Sequence, residues 1–124
     1  MVRVEKEIRI RKGGRVVRAR ALFDTGSRGS YFSDKLAEKI GYEPYEVARE
    51  VGLAVEGKTA KVIGRTAVFI EVDGYLLPEE ETIGVVEGLR VDAIIGLNLM
   101  EKYGIYVEGD ELKFKEIPPS SAII

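Results

Sequence analysis

Val2, Val4, Ile8 and Ile10 stand at even positions with charged residues between most of them, and Lys12-Gly13-Gly14-Arg15 then breaks the pattern. A period of two belongs to a strand with one buried face. A Gly pair supplies the positive φ of a tight hairpin. The alternation excludes an amphipathic helix here and predicts two paired strands: an N-terminal hairpin strand in residues 1–15 and its return over 16–23. The end of the return strand, Ala21-Leu22-Phe23, is apolar without a break. That is the pattern of a strand buried on both faces.

The rest of the chain is punctuated at short intervals. Ser33 or Asp34 caps a short helix, Leu36, Ala37 and Ile40 share one face of it, and Gly41 ends it. Glu43-Pro44-Tyr45-Glu46 reads as a connector, because Pro44 disfavours helix at Glu43. Residues 51–55 and 60–63 flank Glu56-Gly57-Lys58-Thr59, a hairpin with a Gly-containing tip. Residues 65–72 read as a separate strand turned by Asp73-Gly74, followed by short strands at 75–77 and 83–86. Residues 91–96 form another apolar strand, 97–103 a second helix closed by Gly104, and 106–107 with 112–114 a last hairpin. Pro118-Pro119-Ser120-Ser121 opens a tail, 116–124, of the kind expected to be mobile. Twice an apolar strand enters a Gly-containing turn and then a short helix, at 21–41 and at 91–104. The expected class is therefore all-β and barrel-like, with one or two short helices. At 124 residues, a single domain spanning 1–124 is the natural reading.

Composition narrows the chemistry. Hydrophobic residues make up 45% and charged residues 32%, enough apolar surface to exclude disorder. Cys and His are both absent, which removes disulfides, Cys/His zinc sites, thiol nucleophiles and every Ser-His or Cys-His pair. Carboxylates, Lys and Tyr remain for acid–base work, and no Asp-rich calcium loop is visible. No metal or cofactor is expected. There is no Gln and one Asn, Asn98, beside abundant Lys, Arg and Glu, a bias like that of hyperthermophiles. The alternating start is unlike the apolar segment of a signal peptide, and no apolar run approaches the ~18 residues of a membrane span. The expectation is a cytoplasmic protein without a membrane partner. Residues 1–20 carry eight Lys/Arg against two Glu, and residues 71–92 carry seven Asp/Glu against Arg90. The basic end is either a nucleic-acid surface or the solvent face of alternating strands, and the second reading is favoured.

Asp24-Thr25-Gly26-Ser27 is the informative segment. A carboxylate directly after an apolar strand end is expensive to bury unless it is functional or well hydrogen-bonded. Thr25 offers a short hydroxyl and Gly26 lets the backbone turn beside the carboxylate. A turn-forming Asp is the plain structural alternative.

The order of the surrounding elements resembles the retropepsin-like aspartic proteases, including the retroviral proteases and the protease-like domain of the DNA-damage-inducible proteins. Ala21-Leu22-Phe23 before Asp24-Thr25-Gly26 is similar to the family's catalytic strand. The hairpin at 51–64 lies where the family has its flap, and Ala93-Ile94-Ile95-Gly96-Leu97-Asn98-Leu99-Met100 is similar to its apolar-apolar-Gly strand and following helix. The resemblance covers residues 16–115. It implies a retropepsin-like acid protease barrel and an aspartic endopeptidase active as a homodimer on an extended peptide. Asp24, Thr25 and Gly26 would be catalytic. Ser27, Ile94, Ile95 and Gly96 would support the active-site loop, and Val55, Glu56, Gly57 and Lys58 would form the flap that closes on substrate. Ser27 departs from the retroviral pattern, which mostly has Ala there; its hydroxyl is expected to donate to the outer oxygen of Asp24. Length gives an independent reason for the dimer: one Asp-Thr-Gly occurs in the chain, so a two-carboxylate site needs a second copy.

Two other classes compete. One keeps the fold without turnover, as a silent dimer that binds peptides or serves as a scaffold; the intact Asp24-Thr25-Gly26 argues against it. The other is an anion or nucleic-acid binder using Gly26-Ser27-Arg28-Gly29-Ser30 before a helix. It lacks the Gly-Lys-Ser/Thr ending of a phosphate loop, and Asp24 would repel a phosphate.

Overall fold

Gly13 and Gly14 both adopt positive φ, +54° and +82°, and so fold β1 (Arg3–Lys12) back on β2 (Arg15–Asp24) as the pattern requires. The computed structural model describes residues 3–52 and 59–115. The proposed flap tip, Val55 to Lys58, and the tail 116–124 lie outside the described residues.

After β2 come β3 (Tyr31–Ser33) and α1 (Asp34–Ile40). The Ser33 hydroxyl accepts the Leu36 amide at 3.0 Å, so Ser33 rather than Asp34 is the cap, and Leu36, Ala37 and Ile40 face the core. There follow β4 (Glu43–Gly52), β5 (Thr59–Val72), β6 (Tyr75–Leu76), β7 (Glu81–Val86) and β8 (Ala93–Ile95). Then come α2 (Leu97–Lys102), β9 (Ile105–Glu108) and β10 (Glu111–Phe114).

Strand pairing runs β1-β2-β8-β3-β7-β5, and β5 pairs back onto β1 through Ile8↔Val72 and Ile10↔Ile70. Six strands thus close into a barrel, which removes their free edges. Its interior holds Ile8, Ile10, Phe23, Phe32, Ile70 and Ile95. β4 extends the sheet beyond β5, while β9 and β10 make a separate two-stranded sheet. The two similar strand–turn–helix segments lie side by side: β2 and β8 run parallel with Ala21↔Ala93, Leu22↔Ile94 and Phe23↔Ile95 in register.

Four local readings change. Residues 43–46 are the start of β4, not a connector: Pro44 lies opposite Gly64 on a strand paired only to β5 among the described residues, where the missing N–H costs no ladder bond. The strands read at 60–63 and 65–72 are one, β5, whose pairing with β7 shifts register between Val62 and Gly64; the bulge imitates a strand break in the sequence. Val91 and Asp92 precede β8, because the Asp92 carboxylate accepts the Arg20 amide at 3.0 Å and its carbonyl the Ser33 amide at 2.8 Å. Leu22 is only half-buried, since one face of β2 looks into a cleft.

The basic residues of β1 and β2 stand on the outer face in ion pairs, Arg20 with Glu5 at 2.6 Å, Arg18 with Glu7 at 3.7 Å and Lys6 with Asp73 at 3.1 Å. This is the arrangement of solvated strand faces.

Candidate active site

β2 ends by carrying Asp24 out of the core. Phe23 is fully buried and anchors the strand end, and Asp24 itself is 4% exposed. The buried carboxylate is held on two sides. The Gly26 amide donates to Oδ1 at 2.8 Å, and Arg3 Nε lies 3.5 Å from Oδ2 because Arg3 and Asp24 are register partners in the β1–β2 ladder. The Ser27 amide closes the turn on the Asp24 carbonyl at 3.1 Å. Thr25 is half-buried between them.

The loop after Asp24 is fastened to the start of α2. The Leu97 amide donates to the Ser27 carbonyl at 2.8 Å and the Asn98 amide to the Arg28 carbonyl at 3.0 Å. The Gly96 amide donates to the Ser30 hydroxyl at 2.9 Å, which in turn donates to Asn98 Oδ1 at 2.7 Å. Gly96 is the pivot. A Cβ there would lie 2.2 Å from the Gly29 carbonyl oxygen and 2.6 Å from that of Ser27, so only hydrogen fits. Ile94 and Ile95 divide between the two sides of β8: Ile94 lines the cleft, and Ile95, 2% exposed, packs into the barrel.

Asp24 and Ser27 open onto a cleft of about 510 Å³, walled by Leu22 and Ile94, by residues 86–91 after β7, and by Thr59 and Ala60 at the start of β5. Among the described residues, no three His, Cys, Asp or Glu side chains gather closely enough to hold a metal ion.

The structure thus brings Asp24, Ser27 and Ile94 together on one cleft, with the Gly26 amide on the Asp24 carboxylate and Gly96 against the carbonyls of the loop that carries it. The Ser27 hydroxyl, however, donates to the Gly29 carbonyl at 2.8 Å and not to Asp24, because the loop curls back on itself at Gly29. Sequence reasoning passed over Arg3, Ser30 and Asn98. Arg3 was legible in principle as the hairpin partner of Asp24, by counting outward from the Gly13-Gly14 turn. The Ser30–Asn98 contact spans most of the chain, and only the lone Asn hinted at it.

A family model described as aspartyl protease matches residues 7–99. The chain belongs to the retropepsin-like aspartyl protease family. Its relatives include DNA damage-inducible protein 1 of Neurospora crassa, 29% identical over 107 residues that span 78% of this chain and 24% of that protein. The protein of the same name from Phaeosphaeria nodorum is 31% identical over 104 residues, 82% of this chain and 23% of its own length. The chain therefore spans about a quarter of these relatives. Among solved structures, the retroviral protease-like domain of Ddi1 from Leishmania major superposes with a TM-score of 0.63 at 19% identity, over 92% of this chain and 90% of that one. The EIAV protease complexed with the inhibitor HBY-793 gives 0.64 at 18% identity, over 86% and 93%. At these identities the two structures speak for the fold, and it is the fold built above: a closed barrel with Asp24 at the end of an inner strand.

Proposed function

We propose that this chain is an aspartic endopeptidase that works as a homodimer, cleaving extended peptides with water activated between two Asp24 carboxylates. One observation carries the reading: a single buried carboxylate, oriented by the Gly26 amide, opens onto a cleft large enough for peptide side chains. Two such carboxylates meeting at a two-fold axis cannot both stay ionised, so the pair shares one proton. The ionised Asp24 takes a proton from the water as its oxygen attacks the scissile carbonyl. The protonated Asp24 gives its proton to the carbonyl oxygen, and a gem-diol forms. Its collapse breaks the C–N bond, one carboxyl protonating the departing amine while the other recovers a proton from the gem-diol. Each chain's Gly26 amide keeps its carboxylate in place throughout. The chemistry draws on carboxyl groups and water alone.

The Arg3–Asp24 contact favours a second reading, a silent dimer that binds peptides, since a guanidinium beside the carboxylate competes with the partner's Asp24 for it. Turnover of a fluorogenic peptide library by the wild type and by Asp24→Asn separates the two. The peptidase reading expects the variant to lose about 10²–10⁴-fold in rate, the usual worth of a general acid–base group, and expects activity per chain to fall on dilution as the dimer dissociates. Undiminished turnover by folded Asp24→Asn, or a fully active monomer in sedimentation, would refute it.

A further inference from the structure

Most arginines of this surface have partners. Arg9 and Arg11 face Glu71, Arg18 faces Glu7, Arg20 faces Glu5 and Arg65 faces Glu43. Arg15 donates to the Lys39 carbonyl, Arg49 lies over the Tyr45 ring, and Arg3 sits beside Asp24. Among the described residues, the side chains of Arg28 and Arg90 have neither an ion pair, a hydrogen bond nor a ring contact. Of the two, only Arg90 lines the cleft. Arg28 belongs to the loop after Asp24, and Arg90 lines the Asp24 cleft beside Leu89 and Val91. Arg90 also borders a second recess of about 240 Å³ that shares Leu22 and Val91 with the first, so it stands where the cleft continues outward.

A guanidinium offers a planar fork of donors that matches a carboxylate. Exposed to water it gains little from one. A peptide lying in the cleft covers its walls and displaces water, which strengthens the attraction. The acids lining the cleft are Asp24, already beside Arg3, and Glu87, whose amide bonds the Lys61 carbonyl and so places it toward β5. The outer recess adds Glu5, paired with Arg20 at 2.6 Å, and Asp92, whose carboxylate accepts the Arg20 amide at 3.0 Å, so Arg90 is the cleft-lining cation whose side chain meets no acid among the described residues. We propose that Arg90 selects substrates carrying a glutamate or aspartate side chain near the scissile bond. This inference rests on the peptidase reading for its substrate class.

The test uses peptides identical except for Glu, Gln or Lys at each position flanking the cleavage point. Cleavage is followed with the wild type, and binding by fluorescence anisotropy with Asp24→Asn, which does not require turnover. The expected result is a preference for Glu over Gln at one position of about three- to thirtyfold, the range between an exposed ion pair and a charge-assisted hydrogen bond. Arg90→Gln on either background should abolish that preference, and Arg90→Glu should turn it toward Lys, with sedimentation showing the dimer unchanged. Equal binding of Glu and Gln peptides at every position would overturn the proposal, as would a preference that survives Arg90→Gln. A loss of dimer that weakens all peptides alike would assign Arg90 to contact between chains instead. Selective binding of Glu peptides without any cleavage would refute the peptidase reading while leaving the charge selection standing.

Discussion

Gly96→Ala adds one methyl group at the point where the loop after Asp24 meets α2. The backbone at Gly96 is extended, φ −101° and ψ −171°, which any residue adopts, so the effect is steric alone. The new carbon would lie 2.2 Å from the Gly29 carbonyl oxygen and 2.6 Å from that of Ser27. Both are backbone atoms, so the loop must move away by about 1 Å to reach ordinary contact. Three hydrogen bonds cross this junction: Leu97 N–H to Ser27, Asn98 N–H to Arg28, and Gly96 N–H to the Ser30 hydroxyl, at 2.8, 3.0 and 2.9 Å. A shift of that size breaks them. At roughly 1 kcal/mol each, the loss is about 3 kcal/mol, and a domain of this length should melt about 10 °C lower. Displacing the Asp24 loop by about 1 Å should also cost on the order of 10²-fold in peptide cleavage. Thermal and urea unfolding followed by circular dichroism give the stability term. Gly52→Ala is the control, since a Cβ there meets no atom within 4 Å. If Gly96→Ala unfolds at the same midpoint as Gly52→Ala, the junction is not what holds the loop, and the argument fails.

Ser27→Ala removes the bond to the Gly29 carbonyl, so it should lower stability by about 1 kcal/mol and leave the acidic limb of the pH–rate profile in place; a limb that moves would mean the hydroxyl turns to Asp24 in the working dimer. Burial holds the Tyr103 phenol well above its ordinary range, reinforced by its hydrogen bond to Glu81. Unfolded tyrosine ionises near pH 10, so this stabilisation is complete below about pH 10 and drains away as pH rises further. Urea midpoints at pH 8 and above pH 10 should show wild type and Tyr103→Phe converging at the higher pH, and a gap that stays constant would contradict the assignment.

Much of the local structure was legible because its causes are local. The turn at Gly13-Gly14, the Ser33 cap and the Gly41 stop each depend on a few neighbouring residues. The site was legible in part for the same reason: Asp24-Thr25-Gly26 places a carboxylate and the amide that orients it within one turn. Errors arose where two causes give one pattern. Pro44 marks a sheet edge as readily as a connector, and the bulge near Gly64 looks like the gap between two strands. Ser27 was misdirected because a hydroxyl's choice between two nearby acceptors is set by loop curvature, here toward Gly29.

The sequence by itself determined which segments extend, where they turn and which carboxylate is buried, since periodicity, capping and the cost of desolvation act within a few residues. It did not determine the register. Only the tertiary structure set β5 against β1 to close the barrel, aligned Phe23 with Ile95 across a parallel pair, and brought the Ser27 and Gly29 carbonyls against Gly96. An alternating strand presents the same apolar face to any partner two residues along. The choice among those partners falls to closure and packing of the whole barrel, where Gly96 becomes necessary because two distant carbonyls occupy the space a side chain would fill.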